Sequence, residues 1–169
     1  RKFTRSNGHY FAFNAAMCID QQEGIQLYHK SKLTPGVEKM PSWRILAPLE
    51  RFAIDLGGTI GTLATDDMRS NFVGMDETKV GTVICYESIY GEFVSRFVRN
   101  GAELIFIITN DGWWGDTPGY KQHFITAKLR AIETRRSIAR SANTGISAFI
   151  NQKGDVIQQT NYWEKDVIK

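Results

Sequence analysis

Strand and helix signals alternate through the middle of this chain, and that alternation limits its fold more than any other feature. Lys79 to Cys85 is an apolar, β-branched run that predicts a strand. A helix is expected from about Ser88 to Arg99, stopped by Asn100-Gly101. Glu103 to Thr109 is nearly continuous in apolar residues, the pattern of a strand buried in a sheet. Lys121 to Ser137 predicts a second helix, and Ile138 to Ser141 a third strand. Strand, helix, strand, helix, strand in this order implies an α/β domain.

Hairpins are expected on both sides of that centre. His9 to Ile19 predicts one strand, closed by the turn Asp20-Gln21-Gln22-Glu23-Gly24 and paired with Ile25 to Lys30. Ile146 to Ile150 predicts another, turned by Asn151-Gln152-Lys153-Gly154 onto Val156 to Gln159. Ser31 to Pro41 is expected to be loop, and Ser42 to Asp55 a short helix with Ser42 as its cap. The second long helix sets Lys128 and Arg135 within an arc of Phe124, Ile125, Leu129 and Ile132, which implies polar partners or a second subunit there. No repeat or linker divides the 169 residues, so a single domain is expected.

Composition removes several function classes. Twenty-one Lys and Arg against 18 Asp and Glu leave a net charge of +3 and no dense basic run, which argues against nucleic acid as a partner. The longest apolar run, Leu104 to Ile108, has five residues, against about 20 for a membrane span. The chain opens on Arg1 and a polar, basic stretch, and so reads as a piece of a longer protein. Two cysteines, Cys18 and Cys85, make neither a disulfide framework nor a zinc motif.

Cys85 stands where a strand ends and a helix is about to begin. A thiol at such a helix start meets free N–H groups and the positive end of the dipole, which favour the thiolate. On placement alone Cys85 is either a nucleophile or a buried structural cysteine. Cys18, among Ala15, Ala16, Met17 and Ile19, is expected to be core.

The residues around Cys85 add a resemblance. Gly81-Thr82-Val83-Ile84-Cys85-Tyr86-Glu87 resembles the nucleophile strand of the nitrilase, or carbon–nitrogen hydrolase, superfamily. Fifty-five residues earlier, Tyr28-His29-Lys30-Ser31-Lys32-Leu33 with Pro35-Gly36-Val37-Glu38 resembles its lysine motif. Asn110-Asp111-Gly112-Trp113-Trp114-Gly115, Gln122-His123-Phe124, Arg130-Ala131-Ile132-Glu133 and Ala142-Asn143-Thr144-Gly145 follow in family order. Glu87 after Cys-Tyr, and the Asn-Asp-Gly-Trp-Trp-Gly loop, resemble the apolipoprotein N-acyltransferase branch. Soluble amidases of the superfamily usually carry Asp at that place.

The resemblance implies a four-layer α-β-β-α sandwich, truncated at the N-terminus here. It maps the family's nucleophile onto Cys85, its lysine onto Lys30 and its second glutamate onto Glu38, eight residues past the lysine. The family's general base, a glutamate upstream of the lysine, has no match, since Glu23 is the only glutamate before Lys30. That base is expected outside this chain. Tyr86, Glu87 and Trp113 are expected to support the site or bind substrate. Trp113 is open between lining the site and anchoring the loop, and Glu87 between orienting Cys85 or Lys30 and pairing with an arginine. His123 is expected to make structural hydrogen bonds.

By the same resemblance the activity is acyl transfer through a Cys85 thioester, from a phospholipid to the N-terminal amine of an apolipoprotein, without metal or cofactor. The parent is expected in a bacterial inner membrane, held by helices outside this chain, with this domain facing the periplasm; oligomers are open. A soluble amidase or carbamoylase, and a non-catalytic module of the same fold, are the other two readings. Hydrophobic helices upstream would favour the acyltransferase over the amidase, and thiol reactivity at Cys85 separates both from the inert module.

Overall fold

The computed structural model describes residues 2–6, 9–20, 24–35, 38 and 63–169. The expected helix over Ser42 to Asp55 lies outside these residues. The opening stretch is itself a strand, β1 (Lys2–Ser6), paired antiparallel with β2 (His9–Phe13). The single strand expected over His9 to Ile19 is therefore two, with β3 (Ala15–Asp20) beginning after Asn14. At Asn14 the carbonyl accepts from Lys30 N at 2.8 Å and the side chain donates to Glu38 Oε1 at 2.7 Å. From there β3 pairs with β4 (Gly24–His29), in register from Ala15 with His29 to Asp20 with Gly24.

Among the described residues the main sheet has six strands in the order β10-β9-β8-β7-β6-β5. Its members are β5 (Phe72–Val73), β6 (Lys79–Ile84), β7 (Leu104–Thr109), β8 (Ser137–Ala142), β9 (Ala148–Ile150) and β10 (Val156–Gln159). Only β6, β7 and β8 run parallel, joined by crossover helices α1 (Gly91–Arg99) and α2 (Pro118–Thr134). This is the βαβαβ centre expected from the alternation.

The helix starts differ from the sequence expectation by a few residues, for local reasons. A 3-10 turn, Cys85–Ile89, precedes α1, which begins at Gly91. A Cβ at that glycine would overlap the guanidinium of Arg130, so glycine lets α1 start against α2. The second helix starts at Pro118, with Thr117 as cap accepting from Gly119 N, and ends at Thr134 with Arg135 left-handed at φ 53°. Arg135 is exposed and Lys128 half-buried; the buried charge on α2 is Arg130.

Cross-strand register puts Gly81, Ile105, Ile138 and Ile150 in one row, with the three isoleucines at most 1% exposed. A Cβ on Gly81 would meet the Phe97 ring of α1, so this row lies under the helices. The opposite face of β7 is open, with Phe106 and Ile108 more than 40% exposed. The continuous burial expected for β7 thus becomes alternation. The β3–β4 hairpin reaches the other end of the sheet, where Gln26 exchanges two hydrogen bonds with the Val73 backbone (2.7 and 2.9 Å) and Tyr28 meets Phe97 edge-on. Among the described residues no helix is long and apolar enough to cross a membrane.

Candidate functional site

The site begins at the C-terminal end of β6. After Ile84 the backbone turns sharply, and Cys85 takes φ 52° in the left-handed region. A residue with a Cβ pays about 1–3 kcal/mol there, so its surroundings must hold it. Three contacts do so. The Glu87 carboxylate accepts from Ile84 N at 2.8 Å, Ser88 Oγ donates to the Cys85 carbonyl at 2.8 Å, and His123 Nε2 lies 3.2 Å from the same oxygen. Cys85 and Cys18 are both free and partly buried.

Lys30 follows β4 and is 1% exposed. Its ammonium lies 2.6 Å from Glu38 Oε2. The same oxygen accepts from Thr34 N at 2.8 Å, and Glu38 N donates to the Thr34 carbonyl at 2.9 Å, which closes a turn around the pair. Burial pushes the Glu38 carboxyl up, but the charge and hydrogen bond of Lys30, with donors from Thr34 and Asn14, outweigh it and hold the carboxyl below its ordinary range. The result is a buried cation with one fixed counterion.

Glu87 ties the two halves together. It is fully buried, and its Oε1 accepts from Ser31 N at 2.6 Å, Lys32 N at 3.1 Å and Tyr28 Oη at 2.8 Å, while its Oε2 takes Ile84 N. Burial raises its carboxyl above the ordinary range despite these four donors. No arginine pairs with it among the described residues, so of the two expected roles the orienting one fits this geometry. Tyr28 is itself pushed up by burial and by the nearby Glu87 charge.

Cys85 opens onto a cavity of about 220 Å³ lined by Tyr86, Trp113, Trp114, Gln122 and His123. The two tryptophans stack with centroids 4.4 Å apart, and Trp113 Nε1 donates to the Asn110 carbonyl at 2.6 Å. Trp113 therefore both anchors its loop and lines the cavity. On the far side of Tyr86, which meets Tyr90 edge-on, a cleft of about 370 Å³ is lined by Ser31, Lys32, Leu33 and Tyr90. Lys30 and Glu38 do not line the Cys85 cavity; they connect to Cys85 through Glu87.

A second buried network lies under Cys85. Asp111 is fully buried beyond β7, with Arg140 Nη2 at 2.6 Å and His123 Nδ1 at 2.9 Å. Gly145 is needed here because any Cβ would run into the Asp111 carboxylate. Asn14, Tyr28, Ser88, Asp111 and Arg140 join the site without being expected from sequence. One signal was present for Arg140: it keeps the two-residue phase of Ile138 and so faces the helices, where an unpaired charge is not tolerated.

Residues 2–169 match the sequence profile of the Carbon-nitrogen hydrolase family. The chain is 35% identical to the apolipoprotein N-acyltransferase of Chlorobaculum tepidum over 167 residues, covering 96% of this chain and 31% of that protein. It is 39% identical to that of Agrobacterium fabrum, covering 89% of this chain and 28% of the relative. It thus spans about a third of the length of the curated relatives it matches. Among solved structures, a carbon-nitrogen hydrolase from Helicobacter pylori gives a TM-score of 0.67 at 16% identity, covering 96% of this chain and 57% of that one. A nitrilase-superfamily protein from Saccharomyces cerevisiae gives 0.66 at 15% identity, covering 90% and 51%. The fold is the α/β sandwich of that superfamily.

Proposed function

The chain belongs to the carbon-nitrogen hydrolase family, and from that membership we propose that it is the catalytic part of an apolipoprotein N-acyltransferase. Cys85 attacks the ester carbonyl of a phospholipid acyl chain; the thiol proton goes to a base and the lysophospholipid alkoxide leaves protonated. The acyl group stays on Cys85 as a thioester. The N-terminal amine of a diacylglyceryl-cysteine apolipoprotein then attacks, an amide forms, and the thiol is released. Lys30, paired with Glu38, is by resemblance to the family the donor to the oxyanion of each tetrahedral intermediate. Tyr86 and Trp113 hold the substrate beside Cys85, and Glu87 fixes the Lys30 and Cys85 segments to each other. The base is a glutamate outside residues 1–169, and the parent sits in a bacterial inner membrane with this part facing the periplasm.

The observation that carries this reading is the junction of a left-handed Cys85 with a buried Lys30–Glu38 pair through one carboxylate, Glu87. Support for acyl transfer over amide hydrolysis comes from relatives of 35–39% identity that are named acyltransferases, whereas the amidase-like neighbours at about 16% share the fold alone. The test is to incubate the full-length protein with phospholipid and measure the mass of its Cys85 peptide. An acyl adduct on Cys85, discharged by a lipopeptide amine, is expected. The 169-residue chain alone should form none, lacking the base. An adduct on Cys18 instead, or full-length protein that hydrolyses simple amides and takes no acyl group, overturns the proposal.

A further inference from the structure

We propose that the cleft formed by Asp116, Tyr162 and Trp163 binds an alkylammonium ion. The cleft shares no lining residue with the Cys85 cavity, and the inference goes beyond the acyltransferase reading without depending on it.

The cleft holds about 550 Å³ and is lined by Gly115, Asp116, Tyr120, Tyr162 and Trp163. Tyr120, in the first turn of α2, and Tyr162, after β10, stack with centroids 3.8 Å apart and planes 14° from parallel. That is nearer to face-to-face than the offset or edge-on arrangements aromatic pairs prefer, and it brings two negative ring faces together. A cation over the outside of such a stack offsets the repulsion and is drawn to it. Lys121 Nζ supplies one cation, 5.7 Å from the centroid of the Tyr120 ring. The Tyr162 ring also meets Trp163 at 5.5 Å and 57°, so these two rings form an open corner rather than a stack.

Asp116 is the one charged residue of the lining, and nothing else uses its charge. Helix α2 is capped by Thr117, whose Oγ1 accepts from Gly119 N at 3.3 Å, and Asp116 enters no ion pair among the described residues. Its charge is felt in the cleft: partial burial first, and then the charge of Asp116, raise the Tyr162 phenol above its ordinary range.

Trp163 is held in an unfavourable conformation. Its backbone is left-handed, φ 64°, where a residue with a Cβ is strained, and its N–H is tied to the Thr144 carbonyl at 2.9 Å. The ring is 62% exposed, so burial does not offset that strain. Tyr162 is fixed too, its Oη donating to the Gly115 carbonyl at 2.8 Å. Two fixed rings beside a solvated carboxylate suit an ammonium ion, whose charge meets the carboxylate while its alkyl groups meet the rings. An anion is repelled by Asp116, and a neutral apolar group leaves that carboxylate desolvated and unpaired. Gly115 and Asp116 directly follow Trp113 and Trp114, so one loop walls both this cleft and the Cys85 cavity.

The test titrates full-length protein labelled with nitrogen-15 tryptophan and follows the indole N–H resonance that is missing in Trp163→Phe. Choline chloride should shift that resonance saturably, beyond the effect of sodium chloride at equal concentration. An uncharged analogue with tert-butyl in place of trimethylammonium should not. Asp116→Asn should weaken choline binding about threefold or more, the loss of one exposed ion pair. Asp116 is exposed and lies outside the helix cap, so this variant should fold. Vesicles then separate two sources of the ion. A shift with phosphatidylcholine vesicles and none with phosphatidylglycerol vesicles identifies a lipid headgroup; a shift with free choline alone identifies a dissolved amine. Absence of a saturable shift, equal binding of the uncharged analogue, or unchanged affinity in Asp116→Asn overturns the inference.

Discussion

Glu38 Oε2 lies 2.6 Å from the Lys30 ammonium and 2.8 Å from the Thr34 peptide nitrogen, so one oxygen serves both the buried cation and the turn that carries it. Removing the two partners should therefore have unequal effects. Glu38→Gln strands an ammonium that is 1% exposed and should lose about 3–5 kcal/mol of stability. Lys30→Met leaves Glu38 with Asn14 and Thr34 as donors and should lose less. The double variant should be more stable than Glu38→Gln alone. Urea denaturation measures all three, and equal losses for the two single variants would rule out the pair as the cause.

The pH dependence of stability has a definite sign. Glu38 and Asp111 both hold their carboxyls below the unfolded values, so their contribution is present above the ordinary carboxylate range and lost as pH falls through the folded values. Glu87, raised by burial, works the other way, its contribution fading as pH rises through its folded value. Acid unfolding followed by circular dichroism should be flatter in Glu38→Gln below the ordinary glutamate range. An unchanged acid limb would show that the ion pair does not carry the linkage.

Cys85 should be more stable as glycine than as alanine. At φ 52° a Cβ is unfavourable, and glycine relieves that by up to about 1 kcal/mol after its larger unfolded-state entropy is counted. On the proposed function, neither variant should transfer acyl groups. Thermal unfolding of Cys85→Gly and Cys85→Ala side by side tests this, and a less stable glycine variant would mean that the elbow is not strained.

Glu87→Gln should do more than an isosteric change normally does. The new amide must put its NH₂ toward either Ile84 N or the donors from Ser31, Lys32 and Tyr28. At least one buried N–H then faces another donor, a loss of about 1–3 kcal/mol. Iodoacetamide should label Cys85 more slowly in this variant and Cys18 at the same rate. Equal slowing at both thiols would point to general loosening instead.

The sequence made the βαβαβ centre legible because strand and helix periods differ and each run is long enough to show its own. It also singled out Cys85, Lys30 and Glu38 as candidates through ordered motifs. It did not show the break at Asn14, since an amide that leaves one ladder to cap a lysine turn looks the same in sequence as one that stays. The Asp111–His123–Arg140 network was hidden for a related reason. Each residue lies in a different element, and only parallel pairing of β7 with β8 sets Thr109 opposite Ala142, next to the loops that converge. The full burial expected of Phe106 and Ile108 assumed cover on both faces of β7, whereas the helices cover one.

Glu87 also has a bearing on how the site comes into being. Its partners Ser31 and Tyr28 are 56 and 59 residues away in sequence, while Ile84 is three away. Closing so long a loop is slow compared with forming a local turn. The Cys85 elbow should form with the parallel strands, and the Lys30 segment dock onto it later. Native-state hydrogen exchange should then place the amides of Ser31 and Lys32 in one opening unit, less protected than Val83 and Ile107 at the sheet centre. Each such opening parts the Lys30 segment from the Cys85 elbow without unfolding the strand that carries Cys85, so the protein would spend a fixed fraction of its time folded with the candidate site apart.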